Sequence, residues 1–378
     1  MTNLPDYIVS SDPLANLDAL ESEWVDLQER ADCSYFQSWG WIGTWLRQIA
    51  IDLGPRVIRV RFGSLVVGMG ILVPRDNMRR QIIRSRAYYL NEYPFNGRNM
   101  VVEYNGLLAG RGHETAVYLE TIKHVFETDR QCDELVFGAI DARTRCALPL
   151  SRQSELTGDV RLRVHEESTA WAVDLDSFGP GIEAYLATLS KSSRARIRRS
   201  FRHYDRQSRL RLREAENIQE ATEFFEGFKV LHTRRWQSVG QQGVFVNQRW
   251  ESFHRALVQS RFSHNEVQLL MATDANGVLG YLYNFVWRGH VYMLQSGIRI
   301  PEEKRLMPGY VLHVLAIVHN KKNSMNTYDF MHGDSLYKRI LCNHEEKLYW
   351  MVYQRKRLKF CIEDVAVAVV KRGRRLVS

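Results

Sequence analysis

One order of elements is written twice in this chain: strand hairpin, loop, helix, strand. It runs from Arg56 to Ile140 and again from Glu266 to Phe330. In the first copy Arg56–Phe62 alternates apolar with polar residues, Gly63-Ser64 turns, and Leu65–Val73 continues as a strand. Arg79–Leu90 reads as a third strand, followed by a Gly/Asn-rich passage from Asn91 to Gly112. Glu114–Glu127 places Val117, Ile122, Val125 and Phe126 on one helical face, and Asp133–Ile140 is a strand. In the second copy Asp274-Ala275-Asn276-Gly277 joins Glu266–Thr273 to Val278–Val286, a strong hairpin signal. Val291–Gly297, a helix over Gly309–Asn320 and a strand over Thr327–Phe330 complete it. A short helix over Asp334–Leu341 and a final strand over Lys347–Tyr353 follow. Residue identity between the copies is slight, so the repeat is topological. It predicts an α/β (α+β) protein of two domains, each a mixed sheet flanked by helices.

The length agrees: 378 residues at about 150 per domain suggest two. Gly179-Pro180-Gly181 punctuates the chain after a short strand at Ala170–Leu175. The boundary is therefore placed to give domains 1–175 and 176–378. Further helices are expected over Trp39–Ala50, Ile218–Trp236 and Asn247–Ser260, while Asp141–Gly158 has weak periodicity and reads as a connection.

Composition excludes several classes. Apolar residues at 45% and charged residues at 25% describe an ordinary globular chain, not a collagen, a disordered tail or a disulfide scaffold. Cys33, Cys132, Cys146, Cys342 and Cys361 are scattered, with no CxxC pair, which suits a reducing compartment without structural zinc. The acidic stretch from Met1 to Trp24 lacks the apolar segment of a signal peptide. The longest apolar run, Leu65 to Pro74, is far short of the roughly 20 residues that span a bilayer. A cytoplasmic location is expected, peripheral to the inner face of the membrane if the acceptor is a lipid.

The net charge of +9 belongs to one segment. Lys191–Arg213 holds ten basic residues against a single acid, Asp205. It reads as a long helix with a narrow apolar seam of Leu186, Leu189, Ile197, Phe201 and Tyr204. Arg194, Arg198, Arg202 and Arg206 follow at i, i+4 spacing, so one face repels itself by tenths of a kcal/mol per pair. Its partner is then the phosphates of a cofactor, an RNA, an anionic membrane surface, or acids elsewhere in the chain.

An ordered set of residues sharpens the reading. The first half carries Ser34-Tyr35-Phe36-Gln37-Ser38-Trp39, then Trp41 and Trp45. The second carries Leu189-Ser190-Lys191, Arg194, Ile197-Arg198-Arg199, Leu231-His232, Arg235-Trp236, Gly240, Gly243 and Phe253-His254. It ends with Pro308-Gly309, Tyr328-Asp329-Phe330, Gly333-Asp334 and Tyr337-Lys338. Together they resemble the GNAT-like acetyltransferases first associated with cellulose-biosynthesis operons, a family related to the Fem-type aminoacyl transferases. The likeness covers about Ala31 to Tyr353 and is strongest between Tyr185 and Trp350. It implies tandem GNAT-like domains and acyl transfer from a thioester, acyl-CoA (acetyl-CoA or longer), to an amine. The second half is the expected catalytic one. An aminoacyl-tRNA donor of the Fem type, or a non-catalytic scaffold in envelope polysaccharide biosynthesis, are the alternatives.

The chemistry names its residues. At pH 7 an amine of pKa near 10.4 costs roughly 4.6 kcal/mol to deprotonate, so a base or a dry pocket is needed. The thiolate needs a proton and the oxyanion needs donors; no metal is required. Asp329 and His332, at the end of the Thr327–Phe330 strand, are the candidate bases. Tyr337 is the candidate acid, by analogy with the tyrosine that GNAT enzymes often place there. Lys338 is the expected partner of Asp329. Asp334 is either the cap of the following helix or a substrate contact. Arg299, Pro308, Gly309 and Tyr310 form the expected phosphate side, because a helix start offers free N–H groups. Arg235 and Trp236, before the Gly240–Gly243 loop, are expected on the acceptor side. Trp39, Trp41 and Trp45 read as core.

Overall fold

The computed structural model describes residues 6–79, 82–92, 94–95, 98–99, 102–148, 159–301 and 303–365. The chain forms two compact units. The first takes Met1–Trp39, Ala50–Glu167 and Leu348–Ser378; the second takes Gly40–Ile49 and Ser168–Lys347. Where the sequence suggests one break after residue 175, the chain passes between units several times.

The first unit contains β1 (Tyr7–Pro13), β2 (Arg56–Phe62), β3 (Leu65–Arg79), β4 (Ile83–Leu90) and the two-residue strands β5 (Pro94–Phe95), β6 (Arg98–Asn99) and β7 (Leu108–Ala109). β8 (Glu134–Ile140) follows. Its helices are α1 (Leu17–Glu29), α3 (Glu114–Thr128) and α4 (Ala142–Ala147); α2 (Trp39–Trp45) lies almost wholly in the second unit. β9 (Val160–Asp174) begins in the first unit and ends in the second. The second unit continues with α5 (Ile182–Thr188), α6 (Lys191–Tyr204), β10 (Arg211–Glu214), α7 (Ile218–Gln237) and α8 (Gln248–Arg261). β11 (Val267–Asp274), β12 (Gly277–Trp287), β13 (His290–Ile298), α9 (Pro308–Lys322), β14 (Thr327–His332) and α10 (Leu336–Leu341) complete it. β15 (His344–Arg355) returns the chain to the first unit.

The repeat is real at the level of strand order. The first unit runs β1-β2-β3-β4-β8-β15 and the second β10-β11-β12-β13-β14-β9. In each, every neighbouring pair is antiparallel except the one reached through the helix, β4–β8 or β13–β14. That parallel pair is short in both units. Ala87, Tyr88 and Tyr89 face Glu134, Leu135 and Val136; His290, Val291 and Tyr292 face Thr327, Tyr328 and Asp329. Beyond three pairs the strands part. The units differ one strand away. β3 and β4 pair from Leu72↔Leu90 to Arg79↔Ile83 without a shift, whereas β13 carries a bulge between its partners Tyr283 and Asn284. A bulge re-aims the side chains beyond it; in the first unit the irregularity lies on β8, at left-handed Ala139 opposite β15, and in the second β13 carries one as well as β14.

Other departures have local causes. β1 and α1 escaped the sequence reading, although Asn16 caps α1 by accepting from the N–H of Asp18 and Ala19, and Leu20, Trp24 and Leu27 are buried. Part of the expected connection after Ile140 is helical: α4 starts where Asp141 accepts from the Thr144 N–H at 2.7 Å; 149–158 lies outside the described residues. β9 is far longer than Ala170–Leu175 because Arg161, Arg163, His165, Glu166 and Glu167 interrupt its apolar alternation. The basic segment is not one helix. Ser190 caps α6 afresh, and α6 ends at Tyr204 because Asp205 accepts the Leu210 N–H at 3.1 Å and turns the chain through left-handed Gln207 and Ser208. Arg206 therefore does not share a helix with Arg194, Arg198 and Arg202. Among the described residues no helix is long and apolar enough to cross a membrane.

Each unit has its own apolar core. Ile58, Val67, Val117, Ile122 and Phe137 belong to the first, and Leu186, Ile197, Leu282, Leu312 and Phe330 to the second. Residues 40–49 serve the second: the Trp41 ring lies edge-on to Phe253 at 4.9 Å and to Phe285 at 5.6 Å. Trp41→Ala is expected to cost about 3–5 kcal/mol. Hydrogen exchange should then show lost protection in α8 and β12, with β2 and β3 unchanged.

Glu92, just after β4, is a buried carboxyl facing Gly138 of β8. A Cβ at Gly138 would sit 2.3 Å from its Oε1, which explains a glycine in mid-strand. Burial pushes this carboxyl up from 4.5 to about 8. The unfolded chain ionises it first, so the protein loses stability as pH rises from 4.5 to about 8, at about 1.4 kcal/mol per unit. Glu92→Gln is expected to raise Tm, by a margin that grows across that window. An equal gain at both ends would contradict the assignment.

Candidate functional site

Three parts of the second unit meet: the start of α9, the end of β14, and α10. Pro308 opens α9, where a missing N–H is harmless. No side chain caps this helix, and the Met307 N–H donates to Ser200 Oγ of α6 at 3.1 Å. The space over Gly309 is open but for Ile298, whose Cδ1 would lie 3.1 Å from an added Cβ. Burial pushes the Tyr310 phenol up, and the Arg196 guanidinium of α6 pulls it the other way. Pro308 has no N–H, and the Tyr310 and Val311 N–H groups donate to the Met307 carbonyl at 3.1 and 3.3 Å, so at this helix start it is the Gly309 N–H and the positive end of the helix dipole that would attract an anion.

One turn further, His313 stands in an otherwise apolar run. Its ring stacks on Tyr337 of α10 at 5.5 Å and 7°, and lies edge-on to Phe330 of β14 at 4.9 Å. Burial, helped by Lys338, lowers its pKa to about 3, so the ring is neutral, and its Nδ1 has no hydrogen-bond partner. Burial pushes Tyr337 up to about 12, so its hydroxyl keeps its proton at neutral pH. The stack joins α9 to α10 and holds Tyr337 against the second turn of α9. The sequence singled out Tyr337 but missed His313; a lone histidine inside Val311-Leu312-His313-Val314-Leu315 was the available signal.

Asp329 points away from that stack. Tyr328 and Phe330 belong to the core under α9, so alternation sends Asp329 to the opposite face, with His290 and Tyr292 of β13. The Asp329 carboxylate is 1% exposed; Oδ2 accepts from His290 Nε2 at 3.0 Å and Oδ1 from the Met331 N–H at 2.6 Å. The second bond holds Met331 in a left-handed conformation, φ 63°, and Gly333 follows at φ 109°. The carboxylate thus fixes the bend by which β14 ends. His332 sits half-buried at that bend. Lys338, the expected partner of Asp329, also donates its ammonium to the carbonyls of Met331, at 3.1 Å, and of His332, and so ties α10 to the bend that Asp329 holds.

Four expected site residues lie elsewhere. Arg299 holds Asp274 through two hydrogen bonds and donates to the Val278 carbonyl, so it ties the β11–β12 turn to the end of β13 instead of standing ready for a phosphate. Asp334 is exposed and paired with Arg339; the cap position of α10 is Ser335. Trp236 packs beneath Gly243, whose Cβ would lie 3.2 Å from it, and beside His232 at 5.9 Å, so it anchors the loop back onto α7. Arg235 is exposed at the end of that helix. Trp39, Trp41 and Trp45 are core, as expected.

The fold, with its meander, crossover helix and parting parallel strands, defines a class. Residues 191–339, within the second unit, match the family model of the acetyltransferase (GNAT) domain. No curated protein matches the chain. Solved structures resemble it over almost its whole length. FemX does so at 8% identity and a TM-score of 0.60, over 95% of this chain and 99% of that one. L-PGS from Bacillus licheniformis follows at 10% and 0.53, over 92% and 95%. The C-terminal domain of a putative lysylphosphatidylglycerol synthetase from Agrobacterium fabrum gives 10% and 0.52, over 95% and 96%. At these identities the likeness is one of fold.

Proposed function

We propose that this protein is an N-acyltransferase that moves an acyl group from acyl-CoA to an amine, with the second unit as the catalytic one. The observation that supports the reading is the start of α9, with no side-chain cap and open over Gly309 but for Ile298, followed one turn on by the stack of His313 on Tyr337, beside the strands β13 and β14 that pair over only three residues. The donor's pyrophosphate fits that helix start, and its thioester supplies the activated acyl group. Met307, Pro308, Gly309 and Tyr310 shape the cradle. Tyr337, held protonated by burial, gives its proton to the departing thiolate. His332, at the bend of β14, takes the proton of the incoming amine. Asp329 positions that bend through Met331. Kinship with the acetyltransferases of cellulose-biosynthesis operons belongs to the same reading, with an amino sugar, amino acid or lipid amine as acceptor.

A second reading keeps the acceptor and replaces the donor by aminoacyl-tRNA, the donor that the Fem-type resemblance implies. The full-length likeness to FemX favours it. The two separate in one assay. Incubation with acetyl-CoA and a panel of amines is expected to release free thiol in step with loss of amine. Thiol release at the buffer rate, with acyl transfer from charged tRNA, would replace the first reading by the second.

A further inference from the structure

The charge on α6 goes beyond what the donor site uses. Arg198 pairs with Glu183 and Arg213 with Glu220. Arg199, Arg202, Arg206 and Arg209 make no ion pair among the described residues, and all four are exposed. Among the described residues, acids of this chain thus pair directly with Arg198 and Arg213, and Glu303 lies in the field of Arg206, which leaves part of the segment's charge without a direct ion pair.

Beside these cations lies a groove. It runs between α5 and α6 and has a volume of about 560 Å³. Ile182 and Leu186 of α5 and Ala195 and Phe201 of α6 make an apolar floor; Arg198 and Arg202, one helical turn apart, line it together with one acid, Glu183. An apolar trough with guanidinium groups at its edge matches a molecule with a hydrocarbon chain and a phosphate at one end. Nucleic-acid phosphates would satisfy the arginines but leave the floor bare, so the floor decides between the two polyanions. Arg198 reaches only an exposed partner, Glu183, and its side chain is 47% exposed, so a phosphate displaces that contact at little cost.

We infer that the α5–α6 groove binds an anionic phospholipid, chain along the floor and phosphate between Arg198 and Arg202, and that the second unit docks there on an anionic membrane surface. Several basic residues on one helix are what such a surface attracts, at about 1 kcal/mol each. Attraction of this kind weakens with salt.

The test is co-sedimentation of the full chain with phosphatidylcholine vesicles, with and without phosphatidylglycerol. Binding is expected only where phosphatidylglycerol is present, and is expected to weaken as salt is raised. Arg198→Ala with Arg202→Ala is expected to lower the partition coefficient roughly 30-fold, two cations at about 1 kcal/mol each. Ala195→Trp fills the trough without changing charge and is expected to weaken binding several-fold. Both variants should keep the circular-dichroism spectrum and thiol release with a soluble amine, so a failure of the membrane site stays distinct from a failure of the transferase reading. Equal binding to both kinds of vesicle, or unchanged binding by Ala195→Trp, would overturn the inference. So would tRNA binding that the double substitution abolishes while vesicle binding persists; the surface would then belong to RNA.

Discussion

Tyr337→Phe is expected to lower kcat for amine acylation about a hundredfold, the order of a well-placed general acid. The ring keeps its stack on His313, so the protein should unfold at nearly the same temperature, and KM for the donor should hold. The effect comes from the hydroxyl alone. Burial keeps its pKa near 12, so the proton is present throughout the neutral range, and the phenol is matched to a leaving thiolate and not to the incoming amine. A donor with a better leaving group should be hurt less, because its thiolate needs the proton less. Nearly unchanged turnover with acetyl-CoA would remove Tyr337 from the mechanism and leave it as packing between α9 and α10.

Asp329→Ala is expected to damage both fold and turnover. It strips the acceptor from the buried Met331 N–H, a loss of about 1–3 kcal/mol, and from the partly exposed His290 Nε2, and it empties the volume of a buried side chain. A loss of roughly 3 kcal/mol should appear in denaturant unfolding. The bend that presents His332 then relaxes, and a shift of about 1 Å is enough to cost on the order of a hundredfold in rate. Asp329→Asn separates positioning from chemistry. Its carbonyl oxygen still accepts from Met331, so it should recover most of the stability and much of the turnover. If the asparagine variant folds well yet is as inactive as the alanine one, the carboxylate itself takes the proton and His332 does not.

The sequence carried much of this architecture wherever short-range signals sufficed. Asp274-Ala275-Asn276-Gly277 marks a turn because Gly277, at φ 102°, needs a glycine and Asp274 accepts from the Asn276 N–H. The hairpin, helix and following strand of each unit were legible as a repeated order, whereas the short parallel pairing of β4 with β8 and of β13 with β14 was not. What stayed hidden depended on contacts between residues far apart in the chain. Trp41 could be read as buried, but its partners Phe253 and Phe285 are more than two hundred residues away, so the assignment of 40–49 to the second unit was not legible. Arg299 read as a phosphate ligand from its place upstream of α9; its engagement with Asp274 appears only once β12 and β13 pair. The face of Asp329 was legible by alternation with Tyr328 and Phe330, whereas its partners were not: His290 sits 39 residues back, and the Met331 N–H reaches it only because that residue is left-handed. The likeness of one unit to the other also concealed their difference, since a one-residue bulge in β13 leaves no mark in composition.

The account turns on where the donor sits. Hydrogen–deuterium exchange of the full chain with and without CoA measures this directly. Protection is expected in the first two turns of α9, from Gly309 to His313, and in β13 around its bulge, with β4 and α3 unaffected. Protection centred on β4 and α3 instead, or no protection at saturating CoA, would contradict the assignment of the second unit as the acyl-donor site.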